Sequence, residues 1–189
     1  MPQKNVECQQ KKNRSHHQIE HANLIKLRSP TVLDGYAITT LINSSPPLDS
    51  NSSYCNLLQC SHFSQTCVVV ELNGSIVGWL SAYLPPDQPG VIFIWQVVVH
   101  KNARGQGLVK NMIYELLSRE DLLGVRFLNT TITEDNQASW RAFESFAKSH
   151  QLALNKSPHF EKELHFKGVH DNEFLVEIGP FEIPDILKR

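Results

Sequence analysis

VVVHKNARGQGLVKNM, residues 97–112, contains the pattern that decides the fold. An apolar β-branched run ends at Val99, a short turn carries Arg104, Gly105 and Gly107, and a helix-like pattern begins directly after the turn. A glycine-rich turn that opens a helix collects backbone N–H groups at the positive end of the helix dipole, where a phosphate or pyrophosphate binds favourably. The turn therefore predicts a site for a phosphate-bearing ligand.

Two common phosphate motifs do not fit this turn. It lacks the GxxxxGK[ST] pattern of a Walker loop, and Lys110 occupies the position of the third glycine in a dinucleotide-binding GxGxxG pattern. On its own the pattern leaves one alternative open, a glycine-rich turn with favourable helix-capping chemistry and no ligand.

Composition and charge exclude several classes of protein. The 189 residues suit one domain, and 18 basic against 19 acidic residues argue against a nucleic-acid or membrane-surface partner held by bulk charge. The longest apolar run, residues 91–99, is too short to span a bilayer. Four cysteines without a CxxC pair and nine histidines that do not cluster predict no metal site and reduced thiols in a cytoplasmic protein.

The order of predicted elements is β-α-α-β-β-β-α-β-α-β-β. Strands are predicted over residues 24–28, 66–72, 76–83, 91–99, 125–132, 160–166 and 173–178, with a hairpin at Asn73-Gly74. Helices are predicted from a cap at Thr31 or Asp34 to about residue 43, within 48–63, from 107 to about 120 and over 136–150. These elements form one domain over residues 23–189, and the polar residues 1–22 are expected to be a disordered tail.

The turn resembles the [QR]xxGx[GA] loop of the GNAT superfamily of acyl-CoA-dependent N-acetyltransferases, which binds the CoA pyrophosphate. Arg104, Gly105, Gln106, Gly107 and Leu108 match this loop, whereas Val109 stands where glycine or alanine is usual. The resemblance implies an α/β (α+β) fold with a central mixed, mostly antiparallel, splayed sheet flanked by helices. It also implies acetyl-CoA as co-substrate.

By the same resemblance, strand 91–99 pairs with the acyl-pantetheine arm, and Val97 and Val99 lie nearest the thioester. Asn136 opens the last predicted helix, where it is an N-cap, a contact of the CoA arm, or both.

Three longer blocks resemble the diaminobutyrate acetyltransferase family of ectoine biosynthesis and osmoadaptation. They are PPLDSNSSYCNLLQCSHFSQTCVV (46–69), IVGWLSAYLPPDQPGVIFIWQVVV (76–99) and GVRFLNTTITEDNQASWRAFESFA (124–147). Membership would imply that acetyl-CoA and L-2,4-diaminobutyrate give N4-acetyl-2,4-diaminobutyrate and CoA. It would also imply a homodimer.

The turn does not identify the residues that carry the chemistry. Strand 91–99 contains no Asp or Glu, although many GNAT enzymes have a carboxylate base there. Phe143 stands where many of them have a tyrosine that protonates the leaving thiolate. The general base must therefore come from another part of the chain, or from a chain of water molecules.

The resemblance places Asp49, Tyr54 and Trp95 in the diaminobutyrate pocket, with Asp49 as the first candidate base. For Asp49 the alternative is a turn or N-cap aspartate, and for Tyr54 it is ordinary helix packing. For Trp95 the alternative is a core aromatic. His170, which can titrate near neutral pH, and Glu173, which can hold an ammonium group, are further candidates. For both, the alternative is a polar residue at a loop end.

Two other functions compete with this interpretation. One is acetylation of another small amine on the same fold, and the other is a module that binds acyl-CoA without turnover. The missing strand carboxylate and helix tyrosine favour the non-catalytic module slightly, whereas the polar segment around Asp49 favours an acceptor pocket and hence an enzyme.

Overall fold

Stretches rich in β-branched and aromatic residues form one open sheet in the computed structural model, which describes residues 24–46 and 48–188. Its strands are β1 (Ile25–Arg28), β2 (Val68–Leu72), β3 (Ser75–Tyr83), β4 (Val91–Val99), β5 (Phe127–Thr133), β6 (Leu154–Phe160) and β7 (Glu173–Ile178). The order is β1-β2-β3-β4-β5-β7-β6, and each neighbouring pair is antiparallel except β4 and β5. The predicted mixed, mostly antiparallel sheet is confirmed. The tail predicted over residues 1–22 lies outside the described residues.

The helices of the described residues are α1 (Gly35–Asn43), α2 (Ser53–Ser61), α3 (Leu108–Leu117), α4 (Gln137–Ser149) and α5 (Ile183–Leu187). Side chains cap two of them. Ser52 Oγ accepts the N–H of Cys55 at 3.1 Å at the start of α2, and Asn136 Oδ1 accepts the N–H of Ser139 at 3.1 Å at the start of α4. Caps of this kind typically stabilise a helix by about 1 kcal/mol. They fix where α2 and α4 begin, and both helices begin close to the candidate site.

Period-two alternation along the strands divides the apolar core between the two faces of the sheet. On β2, Val68 and Val70 pack in the cluster that contains the buried faces of α3, α4 and α5. Val69 packs on the opposite face in the cluster that contains Trp79 and the buried face of α1. The sheet is therefore a rigid layer between two sets of helices, as predicted.

One strand prediction for the C-terminal region is wrong, and one helix in that region was not predicted. The strand predicted over residues 160–166 lies at Leu154–Phe160, and residues 162–168 form turns. As an edge strand, β6 is mostly exposed, so it needs no apolar alternation and tolerates Pro158. Helix α5 was not predicted, because five residues are too few to show helical periodicity.

Strands β4 and β5 separate halfway along their length. Their parallel pairing starts at Val91 with Phe127 and ends at Ile94 with Thr130, although β4 continues to Val99. On the other side of β4, a register shift against β3 leaves Trp95 as an extra residue between Ile94 and Gln96. Such a bulge bends and twists its strand. The expected splay of the sheet is confirmed, and it opens a cleft between the two strands.

Candidate active site

The glycine-rich turn has the conformation that its sequence predicts. Gly105 (φ 79°) and Gly107 (φ 69°) adopt the left-handed conformation, which is rare for residues with a Cβ atom. Gly107 is the N-cap of α3, so the first N–H groups of the helix have no intrahelical partner. Arg104 Nε donates to the carbonyl of Val99 at 3.0 Å, which holds the arginine side chain against the end of β4. The turn has the form of an anion site.

A groove of about 600 Å³ leads from this turn towards the N-terminal half of α4. Lys110 and Arg141 bring positive charge to the groove in addition to Arg104, while Val97 and Val99 of β4 supply apolar surface. All the predicted cofactor residues line the groove except Gln106, which lies in the turn. This distribution of charge fits CoA, which has phosphates at one end and a neutral pantetheine arm at the other.

A second cavity of about 490 Å³ occupies the cleft between the separated strands. Trp95 and Gln96 of β4 line one side, and Thr131 and Thr133 of β5 line the other. The groove and the cavity share four lining residues, namely Leu48, Val97, Asn136 and Ser139. The two spaces therefore meet beside β4 and the start of α4, and we call these four residues the junction.

Three predicted site residues converge in the cavity from distant parts of the chain. Asp49 precedes α2, His170 lies in the turn region before β7, and Glu173 is the first residue of β7. His170 Nε2 is 3.0 Å from Asp49 Oδ2 and 4.0 Å from Glu173 Oε1. The sequence predicted these residues as separate candidates, and the structure places them in one cluster.

The surroundings of His170 favour its charged form. Nδ1 lies 2.8 Å from the carbonyl oxygen of Asp171, and Nε2 faces the Asp49 carboxylate, so each ring nitrogen meets an acceptor. Both contacts can be hydrogen bonds only when both nitrogens carry a proton. The Asp171 carbonyl and the Asp49 carboxylate accordingly raise the pKa of His170 above its ordinary value, although partial burial opposes the shift.

Burial changes the pKa of Glu173 in the opposite direction from that of His170. Its side chain is 17% exposed, and burial raises the pKa of the carboxyl group above its usual range, while contacts with Thr131 and His170 oppose the shift. Oε2 is buried and has no hydrogen-bond partner among the described residues. A carboxylate that is half desolvated and only partly bonded is a candidate proton acceptor.

Gln96 is a residue that the sequence analysis did not select. Its Nε2 donates to the backbone carbonyl of Asp49 at 2.9 Å, and its Oε1 accepts from Asn51 Nδ2 at 3.0 Å. The side chain thus ties the loop that carries Asp49 to the middle of β4. One cue was available in the sequence, since Gln96 is the single polar residue of an otherwise apolar strand.

Trp95 and Phe143 also line the cavity, but Tyr54 does not. Trp95 is 51% exposed and its ring makes an edge contact with Tyr83 at 6.4 Å between centroids, so it is a cavity wall and not a core aromatic. Tyr54 lies on the first turn of α2 and is 69% exposed. Its assignment to the substrate pocket stays a prediction.

Within residues 24–46 and 48–188, no three or more His, Cys, Asp and Glu side chains are grouped so that they could hold a metal ion. None of the helices in these ranges is both long and apolar enough to cross a membrane.

Comparison with known proteins identifies the class that this fold and site define. A family model described as the acetyltransferase (GNAT) family matches residues 36–147. An acetyltransferase from Salmonella typhimurium solved with acetyl-CoA has the same fold, with a TM-score of 0.63 at 17% identity, and covers 85% of this chain and 96% of its own. The chain belongs to the GNAT family of acetyltransferases.

More similar relatives identify the group within the GNAT family to which the chain belongs. An L-2,4-diaminobutyric acid acetyltransferase from Vibrio parahaemolyticus is 49% identical over 151 residues, which is 80% of this chain and 83% of the relative. The enzyme of that name from Halomonas elongata is 40% identical over 87% of this chain and 86% of its own. The structure of diaminobutyrate acetyltransferase EctA from Paenibacillus lautus, in complex with L-2,4-diaminobutyric acid and coenzyme A, superposes with a TM-score of 0.80 at 35% identity. That superposition covers 84% of this chain and 96% of the EctA chain. Within the GNAT family, the chain belongs to the L-2,4-diaminobutyric acid acetyltransferases.

Proposed function

We propose that this protein transfers the acetyl group of acetyl-CoA to the γ-amine of L-2,4-diaminobutyrate, giving N4-acetyl-2,4-diaminobutyrate and CoA. One observation carries the proposal: an acidic cavity meets, at the junction, a groove that is lined by three basic residues. An amine acceptor and a phosphate-bearing acyl donor can therefore meet at one point. Family membership supports the enzyme over a module that binds acyl-CoA without turnover.

The charge of the cavity suits a diamine. Four acidic residues line it, against two basic ones; the acidic residues are Asp49, Asp135, Asp171 and Glu173, and the basic ones are Lys162 and His170. Diaminobutyrate carries two ammonium groups and one carboxylate, so it enters as a net cation. The excess of carboxylates attracts this charge and disfavours acceptors without a second amine.

In this proposal Asp49 anchors the α-ammonium group of the substrate. The Asp49 carboxylate is bonded to His170 in the free protein, and it can exchange this cationic partner for an ammonium. Gln96 holds the Asp49 backbone in place during the exchange. Anchoring the α-amine at Asp49 leaves the γ-amine free to reach the junction, where the thioester is expected beside Val97.

Glu173 is proposed to accept the proton of the γ-ammonium group. An alkylammonium has a pKa near 10, so it must lose a proton before the nitrogen can attack the thioester carbon. The raised pKa of Glu173 makes it a better proton acceptor than an exposed glutamate. The oxyanion of the tetrahedral intermediate can then accept hydrogen bonds from backbone N–H groups of β4 beyond Ile94, where β5 no longer pairs with this strand.

CoA is proposed to bind along the groove. The backbone of residues 104–108 would hold its pyrophosphate, while Val97, Val99 and Asn136 would contact the pantetheine arm. The homodimer, the absence of nucleic-acid, membrane and metal partners and the cytoplasmic location stay predictions.

A panel of amines tests the proposal. With acetyl-CoA as donor, release of CoA thiol should show the highest kcat/KM for L-2,4-diaminobutyrate. Ornithine, which is one methylene longer, should be at least 10-fold poorer, because pocket discrimination of one methylene is worth about 1–3 kcal/mol. 1,3-Diaminopropane, which is diaminobutyrate without its carboxylate, tests the need for the α-carboxylate. Faster turnover of another amine, or no thiol release with any amine, would contradict the proposal.

A further inference from the structure

We propose that Ser139 Oγ donates a hydrogen bond to the sulfur atom of CoA as the carbon–sulfur bond breaks, which makes Ser139 a further catalytic residue. The inference rests on the acetyl transfer proposed above. It concerns the leaving group, for which the cluster of Asp49, His170 and Glu173 provides no contact.

The position of Ser139 singles it out. Of the four junction residues, Leu48 and Val97 are apolar and Asn136 caps α4, so Ser139 carries the one hydroxyl group at the place where the acceptor cavity meets the CoA groove. The Oγ atom has no hydrogen-bond partner among the described residues, although the N–H of Ser139 is held by Asn136. The hydroxyl is therefore free to bond a ligand that spans the junction.

Phe143, one turn further along α4, offers no hydrogen-bond donor to the leaving group. Phe143 follows Ser139 by four residues, so both side chains lie on the same face of the helix. Phe143 is 1% exposed, lines the acceptor cavity and has no proton to give. A hydroxyl on this face of α4 is available at Ser139 and is absent at Phe143.

The γ-ammonium group first gives one proton to Glu173, which releases it to solvent. The γ-amine nitrogen then forms a bond with the acetyl carbon, and the second proton that the nitrogen loses passes to Glu173. The tetrahedral intermediate then breaks its carbon–sulfur bond, and the electron pair stays on sulfur. Ser139 Oγ–H stabilises this thiolate by a charge-assisted hydrogen bond and keeps its own proton, and the thiolate is protonated by solvent after release.

Ser139→Ala tests the inference through two readouts. Removal of a hydrogen bond to a charged group should lower kcat by about 10- to 100-fold, with KM for acetyl-CoA within about twofold of wild type. Independently of turnover, the thiol pKa of enzyme-bound CoA, measured from the ultraviolet absorbance of the thiolate, should rise by about one unit or more. Alanine favours helix, so the variant should fold, which circular dichroism verifies.

Ser149→Ala is the matched control. Ser149 lies at the end of the same helix, donates to the carbonyl of Phe146 at 2.9 Å and lines neither the groove nor the cavity, so its loss should change neither readout. An unchanged thiol pKa or an unchanged kcat in Ser139→Ala would overturn the role of Ser139. A wild-type enzyme that does not acetylate diaminobutyrate would overturn the proposed function instead, and the titration of bound CoA would still test Ser139.

Discussion

Asp49 and Glu173 are both carboxylates that face His170, yet their surroundings differ. The Asp49 side chain is 78% exposed and bonds His170 directly, whereas the Glu173 side chain is 17% exposed and lies at 4.0 Å from the same nitrogen. An exposed carboxylate suits an ammonium anchor, while a desolvated one holds a proton more readily. We therefore propose that Asp49 binds the substrate and that Glu173 transfers the proton.

Two isosteric variants separate these roles. Asp49→Asn should raise KM for diaminobutyrate by about 10-fold or more and nearly keep kcat, because it removes an interaction made equally in the ground and transition states. Glu173→Gln should lower kcat by about 100-fold or more, because it removes the proton acceptor. Steady-state kinetics with both substrates varied provides the measurement, and Asn155→Ala, on the exposed edge strand β6, serves as a control. A large fall in kcat for Asp49→Asn with wild-type kcat for Glu173→Gln would reverse the assignment.

The same variants differ in their response to pH. Glu173 acts as a base only when it is ionised, so kcat should rise as pH increases through the pKa of Glu173. Because burial raises this pKa, the rise should be centred above the ordinary value of 4.5. In Glu173→Gln the rise should be absent, and in Asp49→Asn it should persist.

Among the site residues, sequence predicts identity better than position. Asp49 and Trp95 were selected from a family resemblance, and His170 and Glu173 were selected for their chemistry. All four line the cavity. The 3.0 Å contact between Asp49 and His170 joins residues 121 positions apart, and no local pattern encodes that distance. Tyr54 shows the same limit, because helical periodicity cannot say whether an exposed aromatic faces a pocket.

At the scale of single elements, the strand–turn–helix unit of residues 97–112 is the part that sequence predicts best. The apolar β-branched run, the left-handed glycines and the helical periodicity are all local features, and each is present in the structure. The separation of β4 from β5 and the bulge at Trp95 depend on neighbouring strands. The family resemblance predicted the separation of the two strands, whereas nothing in the sequence predicted the bulge. Strand β6 was misplaced because an exposed edge strand carries no apolar alternation.

Gly107→Asp tests the turn as the CoA pyrophosphate site. The Kd for CoA should rise by about 100-fold, because a carboxylate would stand where the pyrophosphate is expected. Two like charges in such a close contact cost several kcal/mol. Isothermal titration calorimetry gives the Kd directly.

Two controls separate charge from backbone strain. Gly74→Asp introduces the same side chain at φ 82° in the turn between β2 and β3, outside the groove, and should leave CoA binding unchanged. Gly107→Asn keeps the shape without the charge and should bind CoA better than Gly107→Asp. Equal affinities of Gly107→Asp and the wild type would move the pyrophosphate site elsewhere.

At the scale of the whole molecule, we propose that one sheet positions both substrates. Residues of β4 pack in both clusters of the core, and beyond Ile94 this strand borders the acceptor cavity on one side of the junction and the groove on the other. Separation of β4 from β5 therefore creates the acceptor space and exposes the backbone beside the thioester at once. We propose that residues 23–189 form this GNAT domain as a unit.

We propose that the molecule delivers one particular nitrogen of diaminobutyrate, the γ-nitrogen, to the thioester. The identity of the acetylated nitrogen tests this proposal, and NMR of the product formed from acetyl-CoA labelled with ¹³C in the acetyl group provides it. We expect a coupling pathway from the labelled carbonyl to the C4 protons alone, which defines N4-acetyl-2,4-diaminobutyrate. A product labelled at the α-nitrogen, or a mixture of both isomers, would contradict it.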